Sequence, residues 1–301
     1  MSLLTLLAIL FILFFMLDKM PGSPFNDEKL TEAQKLLLNI KYGLDKPFAV
    51  RFFYYVKNML QGDMGVSYAI NPNFSVTSMV LPRLSVSIRI GAQSMVLGSI
   101  IGLILGIVAA LNHNTWIDSL TSALSVIGVS VPSYVFALGL AYYFGYKLKI
   151  VPFLYDTSEP ALSSILPIVA LSVFTIANVA RFTRSELLDV LSSDYILLAD
   201  SKGIKKYQMI FHHALRNALI PVVTIMGPLL VGLLTGSMVV ERIFSIPGIG
   251  GLMVDAIGMN DYNVVIACAF VYSALYVFAM LIIDILYGII DPRIRVAKDG
   301  D

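Results

Sequence analysis

Charge is what this sequence has least of. Only 14% of its 301 residues are Asp, Glu, Lys or Arg, where soluble domains carry about 25%. Hydrophobic residues make up 57%, so the composition is that of a membrane protein. The formal net charge is +1, which provides no field for nucleic acid and speaks against such a partner. Cysteine is nearly absent too. The single Cys268 lies inside an apolar run, which excludes a disulfide framework, argues against a structural zinc site and reads as an inert buried thiol.

Recognisable catalytic chemistry is missing as well. No Gly-x-x-x-x-Gly-Lys-Ser/Thr stretch occurs, so the chain lacks a phosphate-cradling loop of its own. There is no His-Glu-x-x-His and no Gly-x-Ser-x-Gly, the spacings that serve metalloproteases and serine hydrolases. The histidines, His113, His212 and His213, fall outside the apolar runs, away from any membrane-buried catalytic partner. Ion-coupled carriers hold acids or bases near the midplane. The one candidate here is Asp284, close to Asp291, and its plainer reading is an interfacial acid paired with Arg293 or Arg295. The expectation is a chain with no catalytic residue, cofactor or metal. A transporter of this kind takes its energy from a partner.

What is present is long apolar stretches. A spanning helix needs about 20 mostly apolar residues. Five uncharged runs qualify, at 90–111, 119–146, 160–180, 217–240 and 262–283, and a shorter one covers 2–17. The short run lacks the basic flank and cleavage site of a signal peptide and reads as a first transmembrane helix. The fold class expected is therefore an all-α integral membrane protein with six spans.

Lys and Arg in the short loops set the orientation. Loop 181–216 carries Arg181, Arg184, Lys202, Lys205, Lys206 and Arg216, and the tail adds Arg293, Arg295 and Lys298. The opposite side has Lys147, Lys149 and Arg242. Nine against three sets loop 181–216 and both termini in the cytoplasm. One feature disagrees, because no basic residue precedes the first span while Lys19 follows it. Either a few residues are missing from the start or later helices set the topology.

The expected division is helix 1 at 1–17, an extracytoplasmic segment at 18–88, a transmembrane domain at 89–291 and a cytoplasmic tail at 292–301. Within the domain, helices are expected at about 90–111, 121–146, 160–180, 217–240 and 264–288, with a cytoplasmic loop at 181–216. In the extracytoplasmic segment Thr31 and Gln34 form a capping-box pattern for a helix to about Ile40. Pro47 opens a second, which alternates aromatic and basic residues and suits either the membrane surface or the bundle. Gly98, Gly102 and Gly106 recur every four residues, as do Gly232 and Gly236, a spacing that lets helices approach closely. Pro132 and Pro228 are expected to kink or interrupt their helices.

The stretch between the fourth and fifth spans is unusual. Ser193 suits an N-cap, with Asp194 favourable in the first turn. Gly203 suits the C′ position, with Lys202 in the last turn. These bound a helix over Asp194–Lys202, followed by a second from about Lys206 toward Asn217. Tyr195, Leu198, Ala199 and Lys202 share one face, while Ile196 and Leu197 point elsewhere. The helix is thus apolar on more than one side. In water each large side chain forgoes about 1.5–3 kcal/mol of burial. Either this chain's own bundle covers it, or a cytoplasmic partner does.

Gly203 followed, after nine residues, by His213-Ala214-Leu215 resembles the cytoplasmic signature loop of ABC-importer membrane subunits. DYILLADSKGIKKYQMIFHHALRNALIPVVT is similar to the version in oligopeptide/dipeptide importers. The resemblance continues in MPGSP at 20–24, YGLDKP at 42–47, QGDMGVSY at 61–68, LPRLSVSI at 81–88 and SVPSYV at 130–135. ARFTRSELLDVLSSDY at 180–195, VVERIFSIPGIGGLMVDAI at 239–257 and DPRIR at 291–295 complete it. In that order they resemble the B-type permease subunit, a binding-protein-dependent inner membrane component. The resemblance implies a type I importer fold in a bacterial cytoplasmic membrane. It also implies a second homologous permease, two cytoplasmic P-loop ATPases, an extracytoplasmic peptide-binding protein and a peptide substrate. By the same resemblance Asp194, Tyr195, Leu198, Ala199, Lys202, Gly203 and Lys205 form the ATPase-coupling set. The chain departs from the signature at its opening Glu-Ala-Ala, which falls on Leu197, Leu198 and Ala199. That favours apolar contact over an ion pair.

The loop ERIFSIPGIGG at 241–251 is the second motif. Pro247-Gly248 suits the centre of a type II turn. Phe244, Ile246, Pro247, Gly248, Ile249 and Gly250 are expected to form an external gate or docking surface, or else a cap that closes the bundle. The alternatives to peptide import are another cargo in the same family, such as nickel, glutathione or a sugar, an ion-coupled carrier, or a multi-pass membrane enzyme.

Overall fold

The computed structural model describes residues 2–19 and 31–290. The expectations at 20–24 and 291–301, including Arg293 or Arg295 as partner for Asp284, lie outside the described residues. In chain order the helices are α1 (Ser2–Lys19), α2 (Glu32–Lys41), α3 (Phe48–Leu60), α4 (Val76–Leu111), α5 (Trp116–Ser130) and α6 (Ser133–Leu140). They continue with α7 (Pro160–Ser163), α8 (Ile165–Leu191), α9 (Asp194–Ser201), α10 (Lys206–Gln208), α11 (Leu215–Ile243), α12 (Ile249–Gly258) and α13 (Tyr262–Ile290). Wide π turns extend α6 over Ala141–Lys147 and join α10 to α11 over Met209–Ala214.

Four helical stretches among the described residues are long and apolar enough to cross a membrane, over Val76–Leu111, Pro160–Leu191, Met209–Leu230 and Tyr262–Ile283. A fifth candidate is the pair α5 and α6, which meet at a bend of 100°. The stretch expected as one helix over 121–146 is thus two. Pro132 has no N–H to donate, and it drives Val131 out of helical geometry to φ −88, ψ 124. Pro228 behaves differently. Helix α11 runs through both Pro221 and Pro228 without ending. α1, at 18 residues, is at the short end of spanning length.

The chain folds as two compact units. The first joins the residues up to Ile88 with Ser245–Val277. Here Thr31 caps α2 by accepting from the Gln34 N–H, and the Gln34 side chain accepts from the Thr31 N–H in return. α3 packs its inner face on α1. Phe48 and Phe52 meet Phe11 and Phe14 with centroids 5.4–5.7 Å apart. Tyr55, Val56 and Met59 extend the cluster to Ile266 and Phe270 of α13. Arg51 clamps Asp18 at 2.7 Å. Loop 66–75 closes on itself through a single bridge between Val66 and Ser75.

The second unit joins Arg89–Phe244 with the residues from Phe278 onward. α8 lies at its centre, against α5, α6 and α11. α4 approaches it along the glycines. A Cβ on Gly98 would stand 2.6 Å from the Thr175 Cβ, one on Gly102 2.9 Å from the Ile176 carbonyl, and one on Gly106 2.6 Å from the Ala180 carbonyl. This is the close approach that four-residue glycine spacing permits. Gly232 does not repeat it. It faces open space, and the tight position on α11 is Gly227, pressed against Ile283 of α13.

These contacts give opposite signs for one chemical change. Gly106→Ala should destabilise the purified chain by about 1–3 kcal/mol through overpacking. Gly232→Ala should leave it unchanged or raise it by up to about 1 kcal/mol, because alanine is the better helix former. Thermal unfolding in mild detergent measures both.

Candidate functional site

The short helix α9 begins after a residue with extended backbone, Ser193 at φ −76, ψ 151. Its hydroxyl does not cap the helix but donates back to the Val190 carbonyl at 2.6 Å. The other end is a complete Schellman motif. Gly203 takes φ +73, its N–H donates to the Asp200 carbonyl at 2.9 Å, and the Ile204 N–H reaches the Ala199 carbonyl at 3.3 Å. Ile204 then packs into the cluster beneath the helix. Few residues other than glycine adopt that left-handed turn without strain, so Gly203 fixes where α9 stops.

Ile196 and Ala199, three residues apart, form the inner face. They are buried with Ala110 of α4, Leu187 of α8, Met209 and Ala214 of the π turn, and Ala218 of α11. The outer face is exposed: Tyr195 at 44%, Leu197 at 58% and Leu198 at 56%. Asp194, Lys202, Gly203 and Lys205 are exposed beside them. Two assignments change. Ala199, expected on one face with Tyr195 and Leu198, turns inward, and Leu197, expected elsewhere, joins Leu198 outside. Tyr195 is steadied by Asn217, whose amide donates to the phenol oxygen at 3.0 Å. Tyr207 and Phe211 add an exposed aromatic pair, 4.9 Å between centroids.

A second arrangement was not visible in the sequence. Asp118, in the first turn of α5 and only 4% exposed, receives Arg184 of α8 on both carboxylate oxygens. The Arg184 NH2 lies 2.8 Å from Oδ2, and Nε contacts Oδ1. The Asn114 N–H donates to Oδ2 at 3.0 Å, and His113 Nδ1 stands 3.1 Å from it. Residues 118 and 184 are 66 apart in sequence, so no local pattern connects them.

The loop at 241–251 differs most from expectation. Phe244, Ile246, Ile249 and Gly250 are buried, so they form no exposed docking surface. Nor is the turn type II. Gly248 has φ −99 and ψ 174, and its N–H closes a three-residue turn around Pro247 by donating to the Ile246 carbonyl at 2.8 Å. The residue with positive φ is Ser245, at +53. Pro247 alone of the six is exposed. Ile249 is tied at its N–H to the Ser87 hydroxyl, 3.0 Å away. The turn leads directly into the apolar helix α12.

Asp261, between α12 and α13, is fully buried and was also missed. Its carboxylate accepts from the Ser67 hydroxyl at 2.5 Å and from the backbone N–H of Tyr68, Ala69 and Ile70 at 3.0–3.1 Å. The anion holds loop 67–70 through these four donors. Burial pushes the Tyr68 phenol up to about 12, so it is neutral beside that carboxylate.

Among the described residues no group of three or more His, Cys, Asp or Glu could hold a metal. A cleft of about 360 Å³ lies along α6, lined by Val131, Val135, Phe136, Gly139, Tyr143 and Phe144 among others. It is almost wholly apolar.

Residues 102–296 match the family model described as binding-protein-dependent transport system inner membrane component. The chain is 43% identical to the dipeptide transport system permease protein DppB of Lactococcus lactis subsp. cremoris, over 97% of this chain and 96% of that protein. The chain belongs to this transport family. It is also 39% identical to the oligopeptide permease protein OppB of Escherichia coli K12, over 97% of this chain and 95% of the relative. Among solved structures, the inward-facing MetNI methionine ABC transporter superposes with a TM-score of 0.58 at 17% identity, covering 71% of this chain and 96% of that one. At that identity the likeness is one of fold.

For this inner membrane component the multi-pass helical architecture and the membrane location follow from the family and its apolar helices. The cage around Asp261 generates a test. Asp261→Ala removes the acceptor shared by four donors and should cost about 3 kcal/mol or more, since a hydrogen bond to a charged group contributes about 1.5–3 kcal/mol. The readout is a lower unfolding temperature together with faster proteolysis within 66–75.

Proposed function

We propose that this chain is one of two permease subunits of an ATP-driven, binding-protein-dependent importer of dipeptides or oligopeptides. The observation that carries this is identity of 38–43% to dipeptide and oligopeptide permeases over about 97% of the chain. A second homologous permease completes the pathway, two cytoplasmic P-loop ATPases supply the energy, and an extracytoplasmic binding protein delivers the peptide. Loop 181–216 and both termini are cytoplasmic in this reading, in keeping with the excess of Lys and Arg there.

In this reading α9 is the coupling helix. Its outer face of Tyr195, Leu197 and Leu198 seats in a groove of an ATPase, with Asp194, Lys202 and Lys205 at the rim. Exposed leucines support this. Left in water they forgo about 1.5–3 kcal/mol each, which a partner's groove recovers. The inner face of Ile196 and Ala199 is already occupied by the chain's own helices. Gly203 sets the length of the docking segment. ATP-driven closure of the ATPases displaces α9 and switches the bundle between inward- and outward-open states.

The apolar residues of 244–250 are buried, so their role in this reading is to set the angle at which α12 leaves the turn. Pro247 is the position of that set open to a partner. A peptide is polar along its backbone, so a wide wet pathway suits it, and the binding protein supplies most of the selectivity.

The test is uptake of a radiolabelled dipeptide in proteoliposomes holding the purified complex. Leu198→Asp puts a charge into the apolar seat and should reduce ATP-driven uptake at least tenfold without changing the chain's thermal stability. Normal uptake by that variant with both ATPases bound would falsify the coupling role of α9. Absence of P-loop proteins from the complex isolated in mild detergent overturns the importer reading itself.

A further inference from the structure

We propose that the Arg184–Asp118 pair is the joint through which displacement of α9 reaches α5 and the bent segment beyond it. This rests on the reading of α9 as the docking helix and adds the route by which its movement enters the bundle.

α9 is held by packing on one side. Its inner face shares one apolar cluster with the ends of α4 and α8 and the start of α11, through Ala110, Leu187 and Ala218. Displacing α9 therefore carries those three helices with it. No residue of α5 belongs to that cluster or to the partly buried residues packed around it. α5 packs on α8, with Gly128 toward its far end close against Ala177, and packing of that kind leaves some freedom to slide. At its beginning α5 is joined to α8 by Asp118 and Arg184.

Arg184 precedes Leu187 by three residues, less than one helical turn from the cluster that grips α9. Both oxygens of Asp118 are taken by the guanidinium, and a planar fork fixes orientation as well as distance. Asn114 and His113 hold the same carboxylate from the loop before α5. The carboxylate is thus fixed from both sides, and neither oxygen is left to swing. A buried pair of this kind is weak evidence for stability alone, since apolar replacements often stabilise as well. Its geometric effect is specific. With the joint intact, a push on α9 moves both ends of α5 with α8. Because α5 ends at the 100° bend, its orientation also bears on α6, which packs on α8 and α11 directly. With the joint broken, α5 keeps its packing along α8 but loses the directed clamp at its start, and that end can lag.

The experiment is spin-label distance measurement in the assembled complex with its second permease and ATPases, with and without ATP. The one native cysteine is replaced by alanine. One label pair joins Ser201 on α9 to Thr157, and the other joins Leu120 on α5 to Thr157; all three positions are exposed. In the parent chain ATP shifts both distances. In Arg184→Gln, and in the double variant Asp118→Asn with Arg184→Gln, which leaves no lone buried charge, the first distance still shifts and the second loses its response. Arg184→Lys, which keeps the charge but not the fork, should give an intermediate shift. Uptake per ATP hydrolysed should fall at least fivefold in the double variant. A second distance that shifts as in the parent chain overturns the joint and leaves the coupling reading standing. A first distance that does not shift in the parent chain overturns the coupling reading, and the joint with it.

Discussion

Close backbone approach along α8 is the contact on which the second unit depends. Three glycines of α4 bring that helix against the Thr175, Ile176 and Ala180 stretch of α8, where a single methyl group would collide. Lipid tails are as apolar as leucine, so helices in a membrane associate through packing of this kind rather than through escape from water. With α8 held in this way, its end determines where α9 begins. α9 is therefore positioned by a small-residue seam within the bundle.

Polar groups in such a chain are few, and these two buried acids are fully engaged. Asp118 has Arg184, His113 and Asn114, and Asp261 has Ser67 and three backbone donors. Each carboxylate stands at a place where two distant stretches must meet in one orientation. Apolar packing tolerates some sliding, whereas a bidentate or four-donor acceptor does not. The scarcity of charge in the sequence has this counterpart in structure: these two buried acids fix geometry.

Features written locally were legible before folding. The capping box at Thr31 and Gln34, the stop at Gly203 and the four-residue glycine spacing on α4 each depend on residues within one or two turns. All three are present. Resemblance across nearly the whole chain supplied the family. What escaped was long-range or a matter of a few degrees. Asp118 and Arg184 are 66 residues apart, and Ser67 and Asp261 are 194 apart. Nothing local in either stretch announces the other. The faces of α9 were read with Ala199 on the side of Tyr195 and Leu198 and with Leu197 elsewhere, because the register of an eight-residue helix is set by what it packs on. The Pro247-Gly248 turn shows the same limit, since the positive φ falls on Ser245 rather than on the glycine.

The two-faced character of α9 is the centre of the functional account, and it makes a sharp distinction between adjacent residues. A photo-crosslinking amino acid placed singly at Ile196, Leu197, Leu198 and Ala199, with illumination of the assembled complex in native membranes, reads that distinction directly. The account predicts adducts with a P-loop ATPase from positions 197 and 198 and none from 196 and 199. No ATPase adduct from 197 or 198 while both ATPases remain bound would contradict it.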